Sequence, residues 1–530
     1  MIRIREATGQ DTQAIRDIFY ACYGQDYPYQ QFYDPQQLLK IVYSDDTLIL
    51  VAEDTDQQQV LGTASVILEI GAFSDLVGEF GRLAVTPDAR HHGVGKLLME
   101  ERLARVRDRL HIGLIEGRVA HPFTLRIAES HGFAVVGIMP LKMMLRQRES
   151  LALMVQYFGN ALELRNNHPR VIPEVYPLGC LAMENCGLTP DLIVDEDSAA
   201  YPHGQGFDVQ ELSEQGYSAL LRIERGRVKH REIFGPMRLH YGLFKLQSGK
   251  SRYLIARDQG RIAGAIGFTL DPVDRVVRVF ELISLHDDVV RFLLQEMVRM
   301  CKETWEMAYV EVDVSAFAPR MQRTLLELGF LPVAYVPALV FHEVERLDVV
   351  KMVRLLAPLQ FDAMHLSPKA QQIAELVLRG FVTRQVLPRI AEAAQHMALF
   401  RGLNDEQLRR LAGTCSLRTF AAGDTVFLPG TPGAEMYLLL SGRATVDLPE
   451  RAEPLGTVGE GQCLGELALL RGAAHWARAT ATEPIEAAVL GERDFQDLIR
   501  QRPDIGLLLY KNLALDIGEK LRRAGQGPGA

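Results

Sequence analysis

One turn near residue 90 constrains this chain more than any other feature. Glu79 to Val85 reads as a strand and Thr86-Pro87-Asp88-Ala89 as a turn. Arg90-His91-His92-Gly93-Val94-Gly95 then opens a helix running from Val94 to about Arg107. Its apolar residues Val94, Leu97, Leu98, Leu103, Val106 and Leu110 recur at helical spacing. A strand, a glycine turn and a helix start make a cradle for a phosphorylated ligand. The first amides of a helix have no partner within it and carry partial positive charge, so a pyrophosphate docks there. Gly93 and Gly95 let the backbone approach a ligand without a Cβ in the way. Arg90 and Lys96 add positive charge.

The pattern is R-x-x-G-x-G, distinct from the dinucleotide G-x-G-x-x-G and from the P-loop. Its surroundings form an ordered series. Ile2 to Arg5 alternates like a short strand, and Asp11 is placed to cap a helix striped by Ala14, Ile15, Ile18, Phe19 and Cys22. Thr47 to Glu53 and Val60 to Glu69 read as a strand and its return, and Leu114 to Val119 as another strand. Pro122 to His131 reads as a helix closed by Gly132-Phe133, and Ala134 to Met144 as a last strand. The motif, the helix-Gly-Phe-strand ending and the order of elements resemble one GNAT-type N-acetyltransferase domain, here residues 1–147. That family binds acetyl-CoA by its pyrophosphate. The resemblance implies that Arg90, His91, His92, Gly93, Val94, Gly95 and Lys96 hold the pyrophosphate. It also implies that the amides of Leu83 and Val85 receive the thioester carbonyl and the pantetheine.

Amine acetylation needs a base for the amine, a donor for the oxyanion and an acid for the departing thiolate. Glu79 lies eleven residues before Arg90, which matches the general base in the histone-acetyltransferase branch of the family. A half-buried carboxylate has its pKa raised toward neutrality by desolvation. By the same resemblance, Ala128 stands where a tyrosine acid is common, and His121 replaces an asparagine. Ser130, His131 and His121 are the substitutes at hand, with structural or solvated roles as the alternative. A thiolate leaves tolerably well unassisted, so losing the acid slows transfer without forbidding it.

A second signal lies at the other end. Leu399 to Leu403 leads into a helix, Asp405 to Ala412. Short apolar runs split by glycines follow, at Phe420–Gly423, Phe427–Gly430 and Met436–Gly442, a spacing that indicates an all-β barrel or jelly roll. Gly465-Glu466-Leu467-Ala468-Leu469 opens a cassette, followed by more strand and two helices, Glu492–Gln501 and Ile505–Arg523. Over residues 396–525 this resembles the cyclic nucleotide-binding domain. In binding members the cassette glutamate, here Glu466, takes the ribose hydroxyl, and an arginine nine residues later pairs with the cyclic phosphate. His475 stands at that position, followed by Trp476. A charge-assisted hydrogen bond contributes roughly 1.5–3 kcal/mol, so its loss weakens binding about 10- to 100-fold. Cyclic AMP or cyclic GMP is thus an expected but weakened effector, and a barrel used for docking or dimerisation is the alternative. Ile505, Leu508, Leu509, Leu513 and Ile517 give the last helix an apolar side suited to pairing in a homodimer. The chain stops soon afterwards, leaving no room for a helix-turn-helix, so no nucleic-acid partner is expected.

Between the ends the first pattern returns. Tyr253–Ala256, Ile262–Leu270, Val276–Leu285 and Tyr309–Val314 read as strands, Val289–Met300 and Pro319–Leu328 as helices, and Gly329-Phe330 closes the second helix. Residues 251–350 are read as a degenerate GNAT-like copy. His286-Asp287-Asp288 replaces the glycine turn there, and two carboxylates repel a pyrophosphate, so the copy is expected to be structural. Residues 148–250 read as a helical connector and the start of the second copy, with an amphipathic helix on Leu153, Val155, Phe158 and Leu162. The first helix of the second copy is expected around Gln210 to Ile223, and residues 351–395 as a helical arm. The fold class is α+β, two GNAT-like mixed sheets with flanking helices, plus an all-β jelly-roll barrel.

A length of 530 residues suits three to four domains. Net charge is −9, which argues against nucleic acid or anionic membrane as partner and suits a basic substrate. No apolar run reaches bilayer length and the chain begins directly with a strand, so neither a span nor a signal peptide is expected. Six scattered cysteines without C-x-x-C, and histidines without metal spacing, predict no metal site and no disulfide framework in a reduced, cytoplasmic setting. The reading is an acetyl-CoA-dependent N-acetyltransferase acting on protein lysine or a small amine, with a C-terminal cyclic-nucleotide-type regulatory domain. That combination resembles the cyclic-nucleotide-controlled lysine acetyltransferases of bacteria, where the barrel comes first. The alternative is a non-catalytic sensor of acetyl-CoA or cyclic nucleotide, or a scaffold.

Overall fold

The computed structural model describes residues 1–69, 76–212, 232–235, 251–357, 363–393, 396–431, 435–448 and 454–525. The chain divides into two compact units, Met1–Val377 and Leu378–Ala530.

The first unit begins with β1 (Ile2–Glu6), α1 (Thr12–Tyr23), α2 (Pro35–Val42), β2 (Thr47–Asp54), β3 (Gln59–Glu69) and β4 (Val77–Val85). Then come α3 (Val94–Val106), β5 (Ile112–Arg118), α4 (Phe123–Ser130), β6 (Ala134–Met144) and β7 (Arg148–Tyr157). The strands lie in the order β1-β2-β3-β4-β5-β7-β6. Short links give antiparallel neighbours, and a helical crossover permits a parallel pair. Accordingly β4 and β5, joined through α3, run parallel, and the other neighbouring pairs in this half are antiparallel. Alternation along β2 sorts the two faces. Ile49 and Val51 pack with Ile15 and Phe19 of α1, while Leu50 and Ala52 pack with Val94 and Leu98 of α3. Asp11 stands at the N-cap of α1, but its carboxylate is taken by Arg5 and Thr8, so it closes the preceding turn and does not cap the helix.

After α5 (Tyr176–Asn185) the pattern repeats. The elements are β8 (Asp208–Glu211), β9 (Ser251–Asp258), β10 (Arg261–Asp271), β11 (Val276–Ser284), α6 (Asp287–Glu303), β12 (Tyr309–Ser315), α7 (Pro319–Glu327), β13 (Leu331–His342) and β14 (Glu345–Leu355). Their order, β8-β9-β10-β11-β12-β14-β13, is that of the first half, again with one parallel pair, β11–β12. The two halves join edge to edge where β6 meets β13 at Gly137 and Ala334. A Cβ on Gly137 would lie 2.1 Å from that of Ala334, so a larger residue has no room here.

Several boundaries differ from the sequence reading. Residues 148–157 form strand β7, not an amphipathic helix, and Ser150 to Val155 are all buried. A strand covered on both faces loses its alternation, and a continuous apolar run fits either element. The same ambiguity hid β14, so residues 351–355 are strand, and the helical arm is α8 (Pro368–Ala393). Gln210 lies in a strand, Asp208–Glu211, and not in the first helix of the second half. The rest of the helix expected up to Ile223 lies outside the described residues.

The second unit contains α9 (Asp405–Ala412), β15 (Cys415–Phe420), β16 (Thr425–Phe427), β17 (Glu435–Ser441), β18 (Arg443–Asp447), β19 (Gly456–Gly459) and β20 (Cys463–Leu464). It ends with α10 (Glu466–Arg471), β21 (Arg478–Ala481), β22 (Ile485–Gly491), α11 (Glu492–Gln501) and α12 (Pro503–Gly525). Two four-stranded sheets, β15-β22-β17-β20 and β16-β21-β18-β19, form its β part. Val386 and Ile390 of α8 share a buried core with Leu411, Phe495, Ile505, Leu509 and Leu513. The apolar side of α12 that suited a partner helix is therefore largely spent within its own unit, while Leu507 and Leu515 stay exposed. Among the described residues no helix is long and apolar enough to cross a membrane.

Candidate functional site

β4 and β5 pair only at Val77–Ile112, Gly78–Gly113 and Glu79–Leu114. Beyond Glu79, β4 stays on β3 while β5 follows β7 as far as Arg118. The sheet therefore forks at Glu79. A bulge marks the β4 side: the register shifts between Thr63 and Ser65, and Arg82 takes φ +56°. Arg102 of α3 holds this bulge from behind. It is 1% exposed, and its guanidinium donates to the carbonyls of Ser65 and Gly81 at 3.2 and 3.3 Å and lies over the Phe80 ring. Burial pulls its pKa down to about 9, so it stays charged at neutral pH. A buried cation needs acceptors; the two carbonyls serve Nη1 and Met99 Sδ serves Nη2, while Nε is buried without a hydrogen-bond partner.

Thr86 donates its N–H to Leu61 of β3. By alternation in an antiparallel ladder, the amides of Val85 and Leu83 face the fork instead. The carbonyl of Val85 faces the same way and accepts Cys22 Sγ at 3.2 Å. Burial pushes the Cys22 thiol up, and Arg90 pulls it part of the way back, which places that guanidinium beside the opening. His91 (φ +68°) and Gly93 (φ +78°) turn the chain into α3, with Val94 and Gly95 as its first residues. A Cβ on Gly93 would meet nothing within 4 Å, so the turn is open to a ligand. His92 is exposed, and Lys96 pairs loosely with Glu100 at 3.8 Å. His91 and His121 flank the exposed Phe123 ring at 6.1 and 5.5 Å.

Glu79 lies 3.5 Å from the Arg82 guanidinium, with a side chain 36% exposed. Tyr27 stands nearby. Burial raises its phenol pKa, and Arg82, Glu79 and Asp274 are among the charges it feels. Tyr23, Tyr27 and Tyr29 form a ring cluster with centroids 5.0 and 5.7 Å apart. Arg118 holds Glu149 with two 2.8 Å hydrogen bonds and lies 5.9 Å from the Tyr23 ring. Sequence reasoning missed these groups, although five tyrosines between residues 20 and 33 were a visible signal. Ala128 is fully buried. Ser130 Oγ and His131 Nδ1 both contact the Ile127 carbonyl of their own helix, at 2.8 and 2.6 Å. His121 sits near Arg118 and Glu149, and its buried Nδ1 has no hydrogen-bond partner. Burial, aided by Arg118, lowers its pKa, so the ring is neutral near pH 7.

In the second half, β11 and β12 pair from Val276–Tyr309, as β4 and β5 do from Val77–Ile112. That register puts Arg278 at the position of Glu79 and Glu311 at that of Leu114, and the two form an ion pair. Burial pushes Glu311 up, but Arg278, Lys142 and Lys351 outweigh it and hold it ionised. The strand-to-helix link is only Leu285–His286, and Asp287 and Asp288 occupy the first turn of α6.

In the second unit Gly465 (φ +79°) sets up α10, whose first residue is Glu466. Leu467 and Ala468 follow in the helix, and Ala468 is buried. Glu466 is 7% exposed and accepts Lys520 Nζ of α12 at 2.9 Å. Lys520 also reaches the Cys463 carbonyl at 2.8 Å and Asp516 at 2.9 Å. Burial lowers its pKa, and Glu466, Cys463 and Asp516 more than restore it. His475 is 5% exposed and stacks on Phe427 at 4.0 Å, while Trp476 is half exposed. Among the described residues no cluster of His, Cys, Asp or Glu could hold a metal, and the six cysteines are free thiols.

Residues 45–135, which contain the fork and its glycine turn, match the acetyltransferase (GNAT) domain family, and residues 417–502 match the cyclic nucleotide-binding domain family. The chain carries a GNAT acetyltransferase domain and a C-terminal cyclic nucleotide-binding domain. It is similar to Glutaminase 1 of Bradyrhizobium diazoefficiens, 32% identical over 23% of this chain and 20% of that protein. It is also similar to the Cyclic AMP receptor protein of Thermus thermophilus, 31% identical over 24% of this chain and 58% of that one. The chain thus spans a fifth of the first relative and little more than half of the second. Among solved structures, the ribosomal-protein-S18-alanine N-acetyltransferase of Escherichia coli is 17% identical with a TM-score of 0.26, covering 30% of this chain and 95% of that one.

Proposed function

We propose that the first half of the N-terminal unit transfers an acetyl group from acetyl-CoA to a primary amine, protein lysine or a small molecule, and that the C-terminal unit regulates it. The fork at Glu79 carries this reading. It offers amides of Leu83 and Val85 to the thioester carbonyl and pantetheine, the start of α3 with Arg90 to the diphosphate, and Glu79 to the incoming amine. Glu79 takes a proton from the amine as nitrogen attacks, and the bulge amides stabilise the oxyanion. No tyrosine stands at residue 128 to protonate the thiolate; His121, Ser130 and His131 are the side chains near that helix that could take its part. We read the second half as a degenerate copy of the same fold, because an Arg278–Glu311 ion pair occupies the register position of Glu79 and the glycine turn is missing. Mixing the protein with acetyl-CoA and a panel of amines, lysine peptides included, should release free thiol. Binding of acetyl-CoA without thiol release in the presence of any amine would favour the sensor reading that Ala128 supports.

The barrel is read as a cyclic nucleotide site held in check. Glu466, the group for the ribose hydroxyls, is already engaged by an ammonium, and His475 is stacked away in the core. Lys520→Gln removes the competing charge and is expected to tighten cyclic AMP or cyclic GMP binding about tenfold, read by calorimetry. Equal affinity in both proteins would remove Lys520 from ligand control. Self-association through Leu507 and Leu515 and a cytoplasmic setting belong to the same proposal.

A further inference from the structure

The α1–α2 connection, with Tyr27 and Tyr29, lies across β2 from α3, because Ile49 and Val51 face one helix layer and Leu50 and Ala52 the other. If the diphosphate sits at the start of α3, the approach to Glu79 left for an acceptor is on the tyrosine side. The second half reaches into that side. The turn between β10 and β11 places Asp274, 8% exposed, against the first half. Its Oδ2 accepts Tyr29 Oη at 2.6 Å, and its Oδ1 accepts the Met144 N–H at 2.8 Å. Arg148 of β7 donates to the Asp274 carbonyl through both terminal nitrogens at 2.9 Å, and also to the Leu141 carbonyl at 2.7 Å. Asp271 shapes the turn by accepting the N–H groups of Val273 and Asp274. A second clamp lies close by: Lys142 bridges Glu116 of β5 and Glu311 of β12, at 2.7 and 3.1 Å.

We propose that the second half completes the acceptor site of the first, with its Asp271–Arg275 turn holding the tyrosine loop as a wall beside Glu79 and Asp274 acting as the positioning residue. This rests on the acetyltransferase reading above. A buried carboxylate with both oxygens satisfied is a stiff fastening, because removing one partner leaves an orphaned polar group. Freed from Asp274, Tyr29 loses its fixed place, and the acceptor loses one side of its seat. The cofactor side, built on β4 and α3, is untouched.

The test uses the full chain with Asp274→Asn and, as a gentler change, Tyr29→Phe. Both are expected to raise the acceptor KM about tenfold, to leave the acetyl-CoA dissociation constant within twofold, and to speed amide hydrogen exchange across residues 24–34. Unchanged exchange in both variants overturns the fastening, whatever the activity. Faster exchange with an unchanged acceptor KM overturns the acceptor role. Absence of thiol release by the wild-type protein with every amine fails the acetyltransferase reading and takes the acceptor role with it, while the exchange arm still reports on the fastening.

Discussion

Replacing Glu79 by glutamine is expected to lower amine acetylation about 100- to 10,000-fold, the usual contribution of a positioned base, while acetyl-CoA binds as before. Glutamine keeps the size of the side chain and an oxygen for Arg82, so neither the fork nor the turn at the start of α3 has reason to move. What disappears is the acceptor for the amine proton. Single-turnover thiol release, paired with calorimetry for the cofactor, separates the two effects. A variant with full activity would remove Glu79 as the base and direct attention to the tyrosine cluster. Equal loss of affinity and rate would mean instead that Glu79 shapes the cofactor cleft.

Gly137→Val is expected to cost the N-terminal unit about 3 kcal/mol in stability, at the upper end for an overpacked position. The new Cβ would meet the Cβ and Cα of Ala334 at 2.1 and 2.6 Å and the Val333 carbonyl at 2.6 Å. Two of these contacts are backbone, which no rotamer change relieves. The edge of β6 then has to part from β13, and the clamps at Asp274 and Lys142 lose their registry. Denaturant unfolding should show the transition of the N-terminal unit moved to lower concentration and that of the barrel unmoved. An unshifted curve would mean that the pairing of the two halves carries no weight.

The turn at residues 86–95 was legible because glycine and helix-start chemistry act locally: the positive φ of Gly93 and the start of α3 at Val94 lie where the spacing puts them. The helices of the barrel unit were legible for a similar reason, since α11 spans Glu492–Gln501 with amphipathic spacing. Strands β7 and β14 were not. They are buried on both faces, and burial erases the period-two signal. The fork was also hidden, because the point where two strands part depends on the bulge in β4 and on where β7 takes over β5, and neither leaves a periodic trace. Asp274 and Lys520 act across 245 and 54 residues of chain, and no spacing rule reports such encounters. The departures at Ala128 and His475 were visible as identities, but where their neighbours turn came only with coordinates.

The uninterrupted run of α8 across residues 377 and 378 has a practical consequence for dissecting this chain. A fragment cut at residue 396 would leave empty the places of Val386 and Ile390, both fully buried beneath the barrel. Vacated volume of that kind typically costs about 2–5 kcal/mol per large aliphatic side chain. Ligand assays on an excised barrel therefore need the helix from Leu378 onward, where the second unit begins, and a silent shorter piece would report on damage rather than on affinity.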